Sequence, residues 1–370
     1  MKRTLCLILA VLMLLSAFAG CKKEPEQAQV PAVSETEIVS DTEVTTPTDA
    51  EPAGPNVYDD GRARPSSCGQ LKVVDGKLCD ENGEKVMLRG ASSYGLITSE
   101  GFLNEKLFEE LSRDVGMNVF RLAMYTYGVG TIGYCTSGDK ERHMQDIDLG
   151  VELAKQEDMY AIIDWHILTD GNPNIYVEDA KEFFAAVAEK YADYNNVLYE
   201  ICNEPNGDDV DWAEIKKYAE QVIPVIREKD PDSVIIVGTP EWSRWVNQAL
   251  ADPLSYDNLL YAYHFYSASH KDDLRQMVEE TSQAGLPIFV TEFGITNANG
   301  GVPRDIESAD IWIDMLEREN ISYCMWSFSK VAEASAALKR SVLTYNGFTE
   351  DDYSETGLWL LDTIKKHNTK

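Results

Sequence analysis

The chain has 370 residues, 44% apolar and 26% charged, which suits a globular protein and rules out a fibrous or multispanning membrane chain. Its charge is unusual: 33 Lys plus Arg stand against 63 Asp plus Glu, a formal net of -30. Such a surface repels phosphate backbones and polyanionic substrates, which argues against nucleic acid as a partner, yet it does not disturb a neutral glycan.

The first residues read as a targeting segment. Lys2 and Arg3 form a positive start, and Leu5 to Phe18 is an apolar stretch of about 14 residues, too short to span a bilayer and right for a signal core. Ala19-Gly20-Cys21 follows and resembles a bacterial lipoprotein box, which would put a lipid on Cys21. The alternative is ordinary signal cleavage after Ala17-Phe18-Ala19. Residues 1–20 are therefore expected to be a signal peptide, and the protein to be secreted and held outside a bacterial membrane only by that lipid. Residues 21–64 are rich in Pro, Glu, Thr, Ser, Ala and Val with no hydrophobic period, the composition of a solvated tether. Residues 65–370 are expected to form the folded domain.

Of seven cysteines, Cys6 falls in the signal and Cys21 is the lipid candidate. Cys68, Cys79, Cys135, Cys202 and Cys324 are odd in number and lack CxxC spacing, so neither a disulfide framework nor a zinc site is expected.

A short hairpin comes next, Gln70–Val74 and Lys77–Cys79 across Asp75-Gly76. Strands then alternate with helices. Strands are predicted at Val86–Ala91, Asn118–Met124, Tyr160–Asp164, Val197–Cys202, Ser233–Val237, Leu259–His264, Pro287–Thr291 and Ser322–Trp326. Helices are predicted at Glu105–Val115, Met144–Glu157, Ala180–Tyr191, Trp212–Glu228, Arg244–Ala251, Asp272–Ala284, Ile306–Glu319 and Thr356–Lys366. Eight such units point to an α/β fold, a closed (β/α)8 TIM barrel with a short N-terminal β-hairpin. No GxGxxG and no GxxxxGK[ST] occurs, so nucleotide binding has no support.

In such a barrel, polar residues at strand C-termini read as active site. Strand two carries Arg121, strand three ends Asp164-Trp165-His166, and strand four runs into Asn203-Glu204-Pro205. Strand five leads to Trp242, strand six ends His264-Phe265-Tyr266, strand seven reaches Glu292-Phe293-Gly294, and strand eight contains Trp326. Any one of these has a bland reading: a histidine after an apolar strand is usually a core hydrogen-bonding group, and a tryptophan is usually core. Polar groups from several strand ends converging on one face are harder to explain that way. Histidines at metal-ligand spacing are absent, so no metal and no cofactor are expected. Two carboxylates with aromatic plates are the minimum kit for glycoside hydrolysis: one protonates the leaving oxygen, and the other attacks the anomeric carbon or activates water.

The stretches Arg121–Tyr125, Ile163–His166, Tyr199–Asn206, Ile235–Pro240, His264–Tyr266 and Val290–Gly294 resemble glycoside hydrolase family 5, with the strongest likeness to its bacterial endo-β-1,4-glucanases, over residues 66–370. The resemblance implies a retaining double displacement on β-glucan, with Glu204 as acid/base and Glu292 as nucleophile. It implies that Asn203 binds the sugar 2-hydroxyl and that Arg121 and Tyr266 hold the nucleophile ionised. It assigns His166 and His264 to the subsites of the cleaved bond and Trp326 to the platform under the attacked sugar. Tyr125, Trp242, Lys330 and Glu333 match further parts of the cleft. The chain departs from the pattern at Tyr94, where the family carries His, and at Thr98, where it carries an aromatic platform; Lys330 also falls one residue early. Related substrates (mixed-linkage glucan, xyloglucan, β-mannan) and a non-catalytic surface glycan-binding protein are the alternatives, and the chain is read as a monomer.

Overall fold

The computed structural model describes residues 60–128 and 132–368, without the side chain of Glu100. The expected signal peptide, Cys21 and nearly all of the expected tether lie outside these residues. The end of that tether does not: Arg64 is fully buried, with its guanidinium on Ser112 Oγ and the carbonyls of Glu157 and Asp158. Packing against the barrel thus starts a few residues before the position that composition marks, because a buried arginine reads as polar in sequence.

After α1 (Pro65–Cys68), strands β1 (Lys72–Val74) and β2 (Lys77–Cys79) form the antiparallel hairpin. Asp75 and Gly76 have φ of 48° and 72°, the left-handed pair that a two-residue hairpin turn requires. Eight parallel strands follow: β3 (Arg89–Ser92), β4 (Val119–Tyr125), β5 (Tyr160–His166), β6 (Val197–Glu200), β7 (Val234–Val237), β8 (Leu259–Tyr266), β9 (Ile288–Gly294) and β10 (Tyr323–Trp326). They close in the order β10-β3-β4-β5-β6-β7-β8-β9. Helices cover the outside: α2 (Glu105–Glu109, continuing as a π-turn to Val115), α3 (Lys140–Gln156), α4 (Val177–Tyr191), α5 (Trp212–Lys229), the turn α6 (Pro240–Ser243), α7 (Val246–Ala251), α8 (Asp272–Gln283), α9 (Ile306–Glu319) and α10 (Glu355–Asn368).

Side chains alternate across each strand. Phe120, Leu122 and Met124, like Ile163 and Trp165, face the helices in the outer core. Val119, Tyr160, Ile162, Leu198, Val234, Ile236, Leu260 and Phe289 belong to a second cluster inside the barrel, joined to Leu71 and Leu78 of the hairpin. Toward the strand C-termini the same alternation brings in Arg121, Asp164, Glu200, His264 and Thr291, each at most 1% exposed. An unpaired charge at that depth costs several kcal/mol, so this layer has to be a closed network.

Several boundaries shift by a few residues from expectation, and two of the shifts have a visible cause. The first barrel strand starts at Arg89 because Val86 still bonds the hairpin, its N–H donating to the Leu78 carbonyl. The helix expected at Arg244 starts at Val246, since Glu241, Trp242 and Ser243 all take left-handed φ of 55–60°. Non-glycine residues rarely hold that conformation unless neighbours impose it. Here the Trp242 N–H donates to the Pro205 carbonyl at 3.0 Å and Ser243 Oγ to the Asn203 carbonyl at 2.6 Å.

Candidate active site

Both glutamates emerge at the strand C-termini, and both are nearly buried: Glu204 is 8% exposed and Glu292 4%. The β8–β9 register sets His264 beside Glu292 and Tyr266 beside Gly294. A side chain at Gly294 would collide with the Tyr266 ring, its Cβ lying 2.7 Å from a ring carbon. That glycine leaves room for the Tyr266 ring, whose hydroxyl donates to Glu292 Oε1 at 2.6 Å. Arg121 donates to Glu292 Oε2 at 3.3 Å.

Arg121 is the hub. Its Nε and Nη2 fork onto Glu200 at 2.7 and 3.2 Å, and Nη2 also reaches Asn203 Oδ1 at 2.6 Å and Asp164 Oδ2 at 2.9 Å. Asp164 in turn holds His166 Nδ1 at 2.7 Å, and Asn203 Nδ2 donates to the Ile167 carbonyl at 3.0 Å. Glu204 has different company: its Oε1 lies 3.0 Å from His264 Nδ1.

These surroundings separate the two carboxyls. Burial raises the Glu204 carboxyl to about 8, only partly offset by Arg121. Burial and the charge of Glu204 also raise Glu292. The two titrate together, and the first proton leaves Glu292, because its two direct donors, Tyr266 and Arg121, both favour the anion. Glu204 then keeps its proton beside an ionised neighbour. Burial lowers His264 to about 4 and His166 to about 3, so both rings are neutral near pH 7.

One oxygen of each glutamate and one nitrogen of His264 lie within 4.8 Å of one another. Carboxyls roughly 5–5.5 Å apart attack the sugar directly, whereas pairs about 6.5–9.5 Å apart leave room for water between. An oxygen-to-oxygen approach within 4.8 Å fits the closer arrangement. It would also admit a small cation, but the Arg121 guanidinium already lies 3.3 Å from Glu292 and opposes a second positive charge.

Two cavities meet at the pair. One of about 280 Å³ is lined by Glu204, Trp242, Arg244, His264, Tyr266 and His270. The other, about 200 Å³, includes Tyr94, Tyr125, His166, Glu292, Trp326 and Glu333 in its wall. Trp242 is 41% exposed, and the guanidinium of Arg244 sits 5.4 Å from its ring centre. Trp326 stacks on His166, the planes 9° apart, and Tyr125 packs on the same imidazole with centroids 4.3 Å apart. The structure therefore gathers every sequence candidate but one. Lys330 is that exception: its ammonium lies 3.6 Å from the Tyr345 ring centre and donates to the Thr344 carbonyl, so it lines neither cavity. The one-residue offset in sequence turns it toward a neighbouring loop.

Tyr94 has a place that its residue type alone did not reveal. Its hydroxyl donates to Glu333 Oε1 at 3.0 Å, and its ring lies 5.5 Å from Trp326. Glu333 crowds Gly300 (φ 75°), where a Cβ would come within 2.8 Å of the carboxylate. Glu200 and Thr291 were not singled out from sequence, and Asp164 was named at a strand end without a role. The available signal was an acid within an apolar strand, as in Ile163-Asp164-Trp165 and Tyr199-Glu200-Ile201.

The sequence profile of Cellulase (glycosyl hydrolase family 5) matches residues 79–331. The chain is 43% identical over 317 residues to the "Endoglucanase" of Clostridium saccharobutylicum, covering 85% of this chain and 69% of that one. It is 40% identical over 325 residues to "Endoglucanase A" of Butyrivibrio fibrisolvens, covering 87% and 74%. Among solved structures, the catalytic domain of Thermobifida fusca endoglucanase Cel5A superposes with a TM-score of 0.78 at 36% identity, covering 82% of this chain and 100% of that one. A variant of that domain in complex with cellotetraose superposes with a TM-score of 0.76, again at 36% identity and with the same coverage.

Proposed function

The chain belongs to glycosyl hydrolase family 5, and from that premise we propose that it is a retaining endo-β-1,4-glucanase with Glu204 as acid/base and Glu292 as nucleophile. The observation that carries the assignment is the asymmetry of hydrogen-bond partners: Tyr266 and Arg121 both donate to Glu292, while the Glu204 carboxyl, among the described residues, is paired with the neutral ring of His264. Glu292 Oε attacks the anomeric carbon as Glu204 delivers its proton to the departing oxygen. Glu204, now ionised, takes a proton from water, and that water releases the sugar from Glu292. Trp326, Tyr125 and His166 wall the glycone side, and Trp242 offers an exposed plate on the aglycone side. Asn203, held by Arg121 and the Ile167 carbonyl, is placed to meet the 2-hydroxyl. The acidic surface suits an uncharged β-glucan. The polymer is reached from outside the cell, where the N-terminal segment is read as exporting the protein and tethering it through Cys21; the protein acts as a monomer.

Purified protein is expected to release reducing sugar from soluble β-1,4-glucan at an undiminished rate in EDTA. Activity that requires an added metal would replace the two-carboxylate mechanism with a metal-activated one.

Thr98 is exposed beside Tyr125, where an aromatic side chain would extend the glycone wall. Thr98→Trp is expected to lower KM about fivefold on longer cello-oligosaccharides, the equivalent of about 1 kcal/mol of stacking, and to leave short ones unchanged. Equal effects at every chain length would remove Thr98 from this subsite.

A further inference from the structure

Two buried groups, Glu200 and Thr291, take no part in the steps above. Thr291 Oγ1 lies 2.8 Å from Glu200 Oε1 and 2.9 Å from His264 Nε2, and His264 Nδ1 lies 3.0 Å from Glu204 Oε1. The four side chains form one continuous line from the Arg121 fork to Glu204.

Counting protons along this line leaves little freedom. Burial raises the Glu200 carboxyl, but both its oxygens accept from the always-charged Arg121 fork, the geometry of an ionised carboxylate. An ionised carboxylate only accepts, so the single Thr291 hydroxyl proton goes to Glu200. The Thr291 oxygen is then the acceptor for His264, whose Nε2 must carry the hydrogen. Burial keeps this ring neutral, so Nδ1 is a bare lone pair. A bare nitrogen 3.0 Å from a carboxylate oxygen would repel it; the same contact is a hydrogen bond if the oxygen carries a proton. We infer that Glu200 and Thr291 are positioning residues that act through the tautomer of His264 to hold Glu204 in its protonated, acid form. The inference rests on the acid/base assignment of Glu204. It also serves the second step: once its proton has gone to the leaving oxygen, ionised Glu204 faces a lone pair and becomes a stronger base.

Other titratable groups also face this pair, and all are constant in the comparison that follows: Glu292, Arg121, Asp164, His166, Arg244, His270 and the Tyr266 phenol. With Thr291→Val the acceptor for Nε2 is lost while the shape is kept. The ring then turns to the Nδ1–H tautomer and donates to ionised Glu204. The basic limb of the kcat/KM profile on β-1,4-glucan should therefore move down by about one pH unit or more. Thr291→Ser should restore it. An activated aryl glycoside, which leaves without a proton, should show no such limb in either protein, whereas a general structural defect would alter the two substrates alike.

The tautomer is read directly by 15N NMR of histidine-labelled protein, which has five histidines. The expected result near neutral pH is Nε2–H for His264 in the native chain and in Thr291→Ser, and Nδ1–H in Thr291→Val. A native Nδ1–H ring or an imidazolium would overturn the inference. So would a basic limb that stays in place when the tautomer changes. The NMR reading involves no turnover, so an error in the role of Glu204 would appear in the products of azide rescue and would leave the tautomer as it is.

Discussion

Glu292→Ala should lose activity on cellulose and on activated aryl glycosides alike, by on the order of 10⁴-fold or more, because nothing replaces the attacking carboxylate. The fold should survive, since Arg121 keeps Glu200 and Asp164 as counter-charges. Removing the side chain opens space on the face of the sugar that Glu292 would attack. Azide entering there displaces the leaving group in one inversion, so the product from an activated β-glycoside should be the α-glycosyl azide. Product anomer by NMR and thermal unfolding of the variant check both points. A β-azide from this variant would exchange the roles of the two glutamates.

Glu204→Ala should fail selectively. On cellulose the departing alkoxide needs a proton, and loss of a general acid costs on the order of 10²–10⁴-fold. A dinitrophenol leaves without help, so the first step on its glycoside should stay fast. The second step then lacks its base, and a burst of phenol should precede slow turnover. Azide needs no deprotonation and should restore turnover, giving the β-glycosyl azide after two inversions. Stopped-flow release of phenol and the anomer of the azide product measure this. Full activity of both variants on cellulose would move the active site elsewhere.

The contrast between the glutamates was only half visible in the sequence. Asn203-Glu204-Pro205 and Glu292-Phe293-Gly294 stand out because each follows an apolar strand, and strand ends in a barrel share one face. Which of the two carries the proton at rest depends on Tyr266, Arg121 and His264, which lie at least 26 residues from the glutamates they touch. Linear order does not reveal such contacts. Lys330 shows the converse: a matching residue type near the right position, turned by one step toward Tyr345.

Some features were fixed locally. Apolar runs separated by amphipathic segments determined eight strands and eight covering helices, since period and length decide which elements can bury their faces. Asp75-Gly76 determined a hairpin turn, because those residues tolerate left-handed φ. The left-handed run at Glu241, Trp242 and Ser243 was decided by tertiary structure, as hydrogen bonds to the Asn203 and Pro205 carbonyls hold a conformation that these residues do not prefer. The same holds for the polar layer of Arg121, Asp164, Glu200, His264 and Thr291. Alternation in the sequence says that these groups point inward. Only closure of the barrel brings them within hydrogen-bond distance, and only that contact makes five buried polar groups a network rather than a liability.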